Sequence, residues 1–150
     1  MNDSAGTAKL VEQITAGMEF GPGTSFEGPG GIDEIAEQMA EDAHPDFVTV
    51  MVSQEGIARE YPGVKGFRQA LTDWISPYES FRLEIDEVLT LPDKLVFLVR
   101  QIGTTRHGGV EIETASGSVY SLVDGQIRQA AFYVDQRAAL EAAGIDPGSR

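Results

Sequence analysis

The 150-residue chain has the length of one domain, and its 41% hydrophobic content is sufficient for a substantial core without metal or disulfide support. Eleven Lys and Arg against 24 Asp and Glu give a net charge of −13, which opposes binding to nucleic acid and to anionic membrane surfaces. The absence of Cys excludes disulfides, thiol nucleophiles and thiolate metal sites.

The first seven residues are polar and lack a basic region, so they do not match a secretory signal. No apolar run approaches the ~20 residues that a helix needs to span a bilayer. We therefore expect no membrane partner and, as a default rather than a detected signal, a cytoplasmic location.

Two helices are predicted in the first third of the chain. Apolar residues at helical spacing predict a first helix over residues 7–20, ended by the Gly-Pro pair at 21–22. The following GPGTSFEGPGG segment, residues 21–31, predicts a loop that serves as a linker rather than a flap. From Ile32 an apolar stripe predicts a second helix that ends at His44, and its acidic residues, Asp42 included, are expected outside the stripe.

A buried strand and a third helix are predicted next. Residues 47–52 read FVTVMV, which is β-branched and apolar and therefore typical of a strand. A polar stretch runs from there to Pro62. Between Pro62 and Pro77 apolar residues recur at three- and four-residue steps, which predicts the third helix.

Four strands and a short helix are predicted for the rest of the chain. Apolar and polar residues alternate over 81–86, which predicts a strand with one buried face. Further strands are predicted over 94–105, 110–123 and 126–135, and the short turns between them require antiparallel neighbours. An Ala- and Leu-rich helix follows from Gln136 to Gly144. This order predicts one α+β domain with helices on one face of a curved antiparallel sheet.

Three segments of the sequence carry a family pattern: HPDF before the first strand, YPGVKGFRQALTDW in the third helix, and the closing VYSLVDGQIRQAAFYVDQRAALEAAGI. Together they resemble the SnoaL-like branch of the nuclear transport factor two-like (ketosteroid isomerase-like) superfamily. The resemblance covers residues 33–145 of a single domain over 1–150, whose ends at 1–6 and 146–150 are expected to be frayed. The family's helix pattern falls on Gly63 to Trp74, and its closing turn and strand fall on Asp124, Gly125, Tyr133 and Asp135.

The resemblance implies more about the fold than about the activity. It implies a cone-shaped fold in which a curved sheet packs on N-terminal helices and encloses one pocket, and a homodimer formed through the outer face of the sheet. Relatives include isomerases, cyclases, hydrolases, dehydratases and members with no known reaction, so the fold leaves the chemistry open.

Arg100 is a candidate anchor for an anionic ligand, because it lies in the otherwise apolar strand KLVFLVRQI. A buried guanidinium is costly unless it meets a carboxylate or an anion. The alternative is an ion pair with Glu111 or Glu113 across the hairpin. In related epoxide hydrolases an Arg at this point works with two Asp residues. The matching positions here are Ile102 and Phe132, which argues against that reaction. Phe132 also stands where the polyketide cyclases have an acid in the last strand.

Tyr133 and Asp135 are, with Arg100, the catalytic candidates, and Glu113 is a further possible proton carrier. Asp135 also suits an N-cap of the last helix. Strand alternation places Tyr133 and Asp135 on one face and Phe132 on the other. Matching to catalytic relatives favours Phe132, with Ala130 and Val134, as the residues that face the pocket.

Aromatic residues at helix and strand spacing are the ligand-binding candidates together with Arg100, although core packing explains the same pattern. They are Trp74, Tyr78, Phe97, Tyr120 and Phe132. The two histidines, His44 and His107, have no partner at metal-ligand spacing, so no metal site is expected, and no motif indicates a cofactor.

The sequence thus favours an acid–base isomerase, cyclase or dehydratase that acts on a small hydrophobic or weakly acidic molecule. Two alternatives fit the same sequence. The chain could be a small-molecule binding protein without catalysis, or a dimeric scaffold without a ligand.

Overall fold

The computed structural model describes residues 8–12, 14, 32–53, 55–146 and 148. The predicted GPGTSFEGPGG loop, the end of the predicted first helix and most of the expected frayed ends lie outside the described residues. Residues 8–12 and 14 are helical and belong to α1. The remaining elements, in chain order, are α2 Ile32–Asp42, β1 Ala43–Val52, β2 Ala58–Pro62, α3 Gly63–Ile75, β3 Tyr78–Thr90, β4 Lys94–Thr105, β5 Glu111–Val123, β6 Gln126–Tyr133 and α4 Gln136–Ala142.

Six strands of the described chain form one sheet in the order β2-β1-β6-β5-β4-β3. The predicted antiparallel meander from β3 to β6 is confirmed, and β1 joins it by parallel pairing with β6. Register shifts interrupt the ladders in β3 and at the start of β6, and such irregularities bend strands. The α+β prediction with a curved sheet is confirmed.

Strand β2 was not predicted from the sequence. Its residues, AREYP, are mostly exposed, and it pairs only with β1 at the edge of the sheet. An edge strand that buries neither face leaves no alternating hydrophobic signal, so its existence depends on backbone pairing rather than on apolar burial.

The main core lies between the inner face of the sheet and helices α1 to α3. In β4, Leu95, Phe97 and Val99 face this core, whereas Val96 and Leu98 face the other side. Strand β4 is therefore apolar on both faces because both faces are covered.

Helix α4 covers the outer face of the sheet. Its Ala139 and Leu140 pack against Val96, Leu98 and Val119. The expectation that helices occupy one face is therefore right for α1 to α3 and wrong for α4. The close approach uses Gly117, where a Cβ atom would lie 2.6 Å from the Cβ of Ala139. None of the described helices has the length and apolar character needed to cross a membrane.

Candidate functional site

A cavity of about 70 Å³ lies between the inner face of the sheet and the helices. Ligand pockets for drug-sized molecules measure roughly 300–1,000 Å³, so this cavity suits a small molecule or one end of a larger one. Most of its wall is apolar, contributed by Ile14, Ile35, Met39, Phe67, Leu71, Trp74, Leu83, Val99, Ile127 and Phe132.

A smaller set of polar side chains lines the same cavity. Residues four apart on a helix share a face, and alternate residues of a strand share a face, which explains how short segments supply several of them. They are Gln38 and Asp42 from α2 and Ser116, Ser118 and Tyr120 from β5. Tyr133 of β6 also borders the cavity, but its side chain packs against the outer core.

Asp42 provides a carboxylate in this apolar wall. Its side chain is partly buried, and burial raises its pKa above the ordinary 3.8, with a further increase from Glu41 and an opposing effect from Lys9. The sequence interpretation placed Asp42 outside the apolar stripe. The helical spacing contained the contrary signal, because Ile35, Met39 and Asp42 follow one another at four- and three-residue steps on one face.

Tyr120 and Ser118 place two hydroxyl groups side by side on β5. Burial raises the pKa of the Tyr120 phenol, and the Ser118 hydroxyl lowers that pKa by less. The phenol therefore stays protonated at neutral pH and can donate a hydrogen bond. The Ser118 Oγ is buried and, although it lies beside Tyr120, makes no hydrogen bond of acceptable geometry with any described residue.

The predicted aromatic residues divide between the cavity wall and the core behind it. Trp74, Tyr120 and Phe132 line the cavity, with 5.6 Å between the ring centroids of Trp74 and Phe132. Phe97 packs edge-on against Tyr120, and Tyr78 packs against Phe81, both in the core. For Tyr78 and Phe97, core packing is the role that their contacts support, because the described wall does not include them.

Arg100 lies on the outer face, away from the cavity. Its Nε is 2.9 Å from Asp86 Oδ1 and its Nη2 is 3.1 Å from Glu84 Oε1, and 42% of its side chain is exposed. Hydrogen bonding and charge interaction with Asp86 raise the pKa of the guanidinium. The prediction that Arg100 anchors an anionic ligand in the cavity is therefore corrected. Strand alternation turns residue 100 outward, because Val99 points inward.

Arg100 does form ion pairs, as the alternative interpretation predicts, but its partners are Glu84 and Asp86 rather than Glu111 or Glu113. The residue opposite Arg100 on β5 is Ala115, whereas Glu84 lies opposite it on β3. Glu113 contributes only the smallest of the charge interactions that raise the pKa of Arg100. The acids that balance the guanidinium thus come from β3 rather than from the β4–β5 hairpin.

Tyr133 and Asp135 take different positions at the end of β6. Tyr133 is partly buried at the cavity wall, and burial raises the pKa of its phenol. Asp135 is exposed and caps α4, where its Oδ1 accepts a hydrogen bond from the Arg137 N–H at 2.9 Å. It lines, with Val134, a separate open depression outside the inner cavity, so the capping interpretation of Asp135 accounts for its contacts.

The histidines do not form a metal site in the described part of the chain, where no three His, Cys, Asp or Glu residues cluster. The Nδ1 of His44 accepts a hydrogen bond from the Asp46 N–H at 3.0 Å. His107 is exposed in the β4–β5 turn. Neither histidine belongs to the described wall of the inner cavity.

The sequence profile of the SnoaL-like domain matches residues 18–130. The chain belongs to the SnoaL-like family. No curated protein is significantly similar to this SnoaL-like chain in sequence. Solved structures of the same fold are described as SnoaL-like, NTF2-like and ketosteroid isomerase-like proteins.

Three of these structures illustrate the range of the fold. A putative SnoaL-like polyketide cyclase from a Jannaschia species has a TM-score of 0.68 and 16% identity, and the match covers 98% of this chain and 99% of that one. TerC, co-crystallised with polyporic acid, has a TM-score of 0.61 and 19% identity over 87% and 95% of the two chains. A Catenulispora acidiphila protein with a ketosteroid isomerase-like fold, in complex with trimethylamine, has a TM-score of 0.61 and 12% identity over 93% and 96%.

Proposed function

We propose that this SnoaL-like protein is an enzyme that performs acid–base chemistry on a small hydrophobic molecule in the inner cavity, with Asp42 as the proton carrier. The observation that carries the proposal is the position of the Asp42 carboxyl in an apolar wall, where burial raises its pKa. A general acid or base works best when its pKa approaches the working pH, and a raised carboxyl pKa moves in that direction.

The chemistry suits an isomerase, cyclase or dehydratase. The Asp42 carboxylate takes a proton from a carbon next to a carbonyl group, and the electron pair of the broken C–H bond moves to the carbonyl oxygen. The protonated Tyr120 phenol is a donor for the negative charge that develops there. Asp42 then returns its proton to a carbon of the product, which leaves the carboxylate as it began.

The apolar surroundings support this role. The rings of Trp74 and Phe132 and the aliphatic wall hold a hydrophobic substrate and exclude water from it. Proteins of the same fold have been described as a putative polyketide cyclase and as complexes with polyporic acid or trimethylamine, which is consistent with small-molecule binding here.

The proposal is tested by hydrogen–deuterium exchange at the carbon beside a carbonyl group. Cyclopentanone in D₂O is followed by proton NMR with wild-type protein, with Asp42→Asn and with Glu37→Gln, a control acid that is exposed on the same helix. We expect exchange above the buffer rate, a loss of roughly 100-fold or more in Asp42→Asn, and no loss in Glu37→Gln.

Fluorescence separates catalysis from binding alone, because Trp74 is the only tryptophan of the chain and lines the cavity. A ketone that changes Trp74 fluorescence without any accelerated exchange would favour a non-catalytic binding protein. Exchange that is equally fast in Asp42→Asn would exclude Asp42 as the proton carrier.

A further inference from the structure

The hydroxyl of Ser118 is a buried polar group that the proposed proton transfer does not use. Ser118 is 2% exposed, and its Oγ has no hydrogen-bond partner among the described residues. Its cross-strand neighbours are Phe97 on β4 and Phe132 on β6, whose side chains cannot accept a hydrogen bond. Neither cross-strand neighbour therefore supplies a partner, and the Tyr120 phenol beside Ser118 on β5 makes no hydrogen bond of acceptable geometry with this hydroxyl.

The position of Ser118 distinguishes it from the other unpartnered hydroxyl in the described part of the chain. Thr49 Oγ1 is also buried without a partner, but Thr49 does not belong to the described cavity wall. Ser118 does belong to it. A buried hydroxyl without a hydrogen bond is unfavourable, so a molecule that brings an acceptor atom into the cavity gains affinity at Ser118.

The charges around the cavity exclude one class of ligand. The described wall contains the Asp42 carboxyl but no Lys, Arg or His, and Arg100 is held on the outer face by Glu84 and Asp86. The sequence from residue 10 to residue 43 has no basic residue at all, and Lys9 next to it is exposed. An anionic ligand would leave water to face this carboxylate, whose charge the exposed Lys9 offsets only in part.

We propose that Ser118 is a specificity-determining residue, and that the cavity takes an uncharged carbonyl compound whose oxygen accepts a hydrogen bond from the Ser118 hydroxyl. The proposal rests on the cavity of the proposed function and names its substrate class. It does not depend on proton transfer by Asp42. It replaces the weakly acidic ligand that the sequence suggested, since that ligand required Arg100.

The experiment measures binding by Trp74 fluorescence with four compounds of one ring size. Cyclopentanone is the neutral carbonyl compound, cyclopentanecarboxylate the anion, cyclopentylamine the cation, and cyclopentane the compound without a polar atom. The variants are Ser118→Ala and, as matched control, Thr49→Val, which removes the other buried hydroxyl without a partner at a residue outside the described cavity wall.

We expect cyclopentanone to bind more tightly than cyclopentane and the carboxylate not to bind. Ser118→Ala should weaken cyclopentanone roughly threefold to tenfold, which is the effect of one hydrogen bond, and leave cyclopentane unchanged. Thr49→Val should change neither affinity. The ligand-free melting temperature of Ser118→Ala checks its fold, and Ser118→Cys, which keeps a side chain of similar shape with only a weak donor, should show the same loss.

Three results would overturn the proposal: binding of the carboxylate as tight as that of the ketone, ketone affinity unchanged in both Ser118 variants, or tightest binding of the amine with loss in Asp42→Asn. The two proposals fail separately. Ser118-dependent ketone binding without proton exchange removes only the enzymatic function, whereas exchange that is insensitive to Ser118 removes only the specificity role.

Discussion

Arg100 donates to Asp86 with 2.9 Å between Nε and Oδ1, on the sheet face that carries α4. The other oxygen of Asp86 accepts a hydrogen bond at 3.3 Å from Nε2 of Gln136, the first residue of α4. The same Nε2 also donates to the Val99 carbonyl at 3.1 Å. The pair therefore connects β3 and β4 with the start of the covering helix and takes no part in the inner cavity.

Replacement of Arg100 by Met should leave ligand binding intact. Because the ion pairs of Arg100 are partly exposed, we expect a small loss of stability that shrinks as salt screens the charges. Urea unfolding at low and high salt measures the first effect, and Trp74 fluorescence with cyclopentanone measures binding. Arg137→Met, at a more exposed pair with Glu141, is the control. Loss of the ligand response in Arg100→Met alone would contradict this account.

Asp42 should give the fold a specific pH dependence. Its raised pKa means that the folded chain holds the Asp42 proton more tightly than the unfolded chain does. The stabilising contribution of this proton is complete below the ordinary pKa of 3.8 and is lost as pH rises through the raised pKa. At neutral pH the ionised, partly buried carboxylate therefore lowers stability.

Asp42→Asn removes this dependence. The variant should be more stable than wild type at pH 7, and the difference should vanish as the pH approaches 3.8. Urea unfolding over a pH series measures it. Glu37→Gln, exposed on the same helix, corrects for the general benefit of removing one negative charge from a chain of net charge −13. Equal pH profiles for the two variants would show that burial of Asp42 has no such effect.

The sequence predicted the elements that show a clear apolar pattern, whether it alternates, as in β3, or is continuous, as in β4. Strand β4 has the predicted bounds, and the hairpins from β3 to β6 follow from short turns between apolar strands. The sequence also predicted that Phe132 and Tyr133 lie on opposite faces of β6. Phe132 packs against the inner core and Tyr133 against the outer one. These features depend on local apolar patterns and turn residues, which a sequence displays directly.

The orientation of Arg100 could not be predicted from the sequence in the same way. In a strand that is apolar on both faces, periodicity does not tell which face is the inner one, and only the packing of α4 on Val96 and Leu98 decides it. Asp42 was missed for another reason. A carboxyl at the end of an amphipathic helix is expected in water, and its contact with the cavity depends on how α2 lies across the sheet.

Gly117 should be required for the docking of α4. A Cβ atom at this position would lie 2.6 Å from the Cβ of Ala139, so Gly117→Ala must push the helix away from β5. Overpacking of this kind lowers the free energy of unfolding by about 1–3 kcal/mol, and urea unfolding would measure the loss. Ala139→Gly in the same chain provides space for the new methyl group, and the double variant should lose less than the two single losses combined. Additive losses would indicate that the two residues do not press on each other.

Phe132 and Phe97 should respond differently to the same truncation, although both lie beside Tyr120. Phe97 is 0% exposed in the core, so Phe97→Ala should lower the free energy of unfolding by about 3–5 kcal/mol. Phe132 is partly exposed at the cavity wall, so Phe132→Ala should cost less and enlarge the cavity. Trp74 fluorescence should then detect ketones with larger rings in Phe132→Ala than in wild type. If Phe132→Ala binds no larger ketone than wild type does, Phe132 does not limit the size of the ligand.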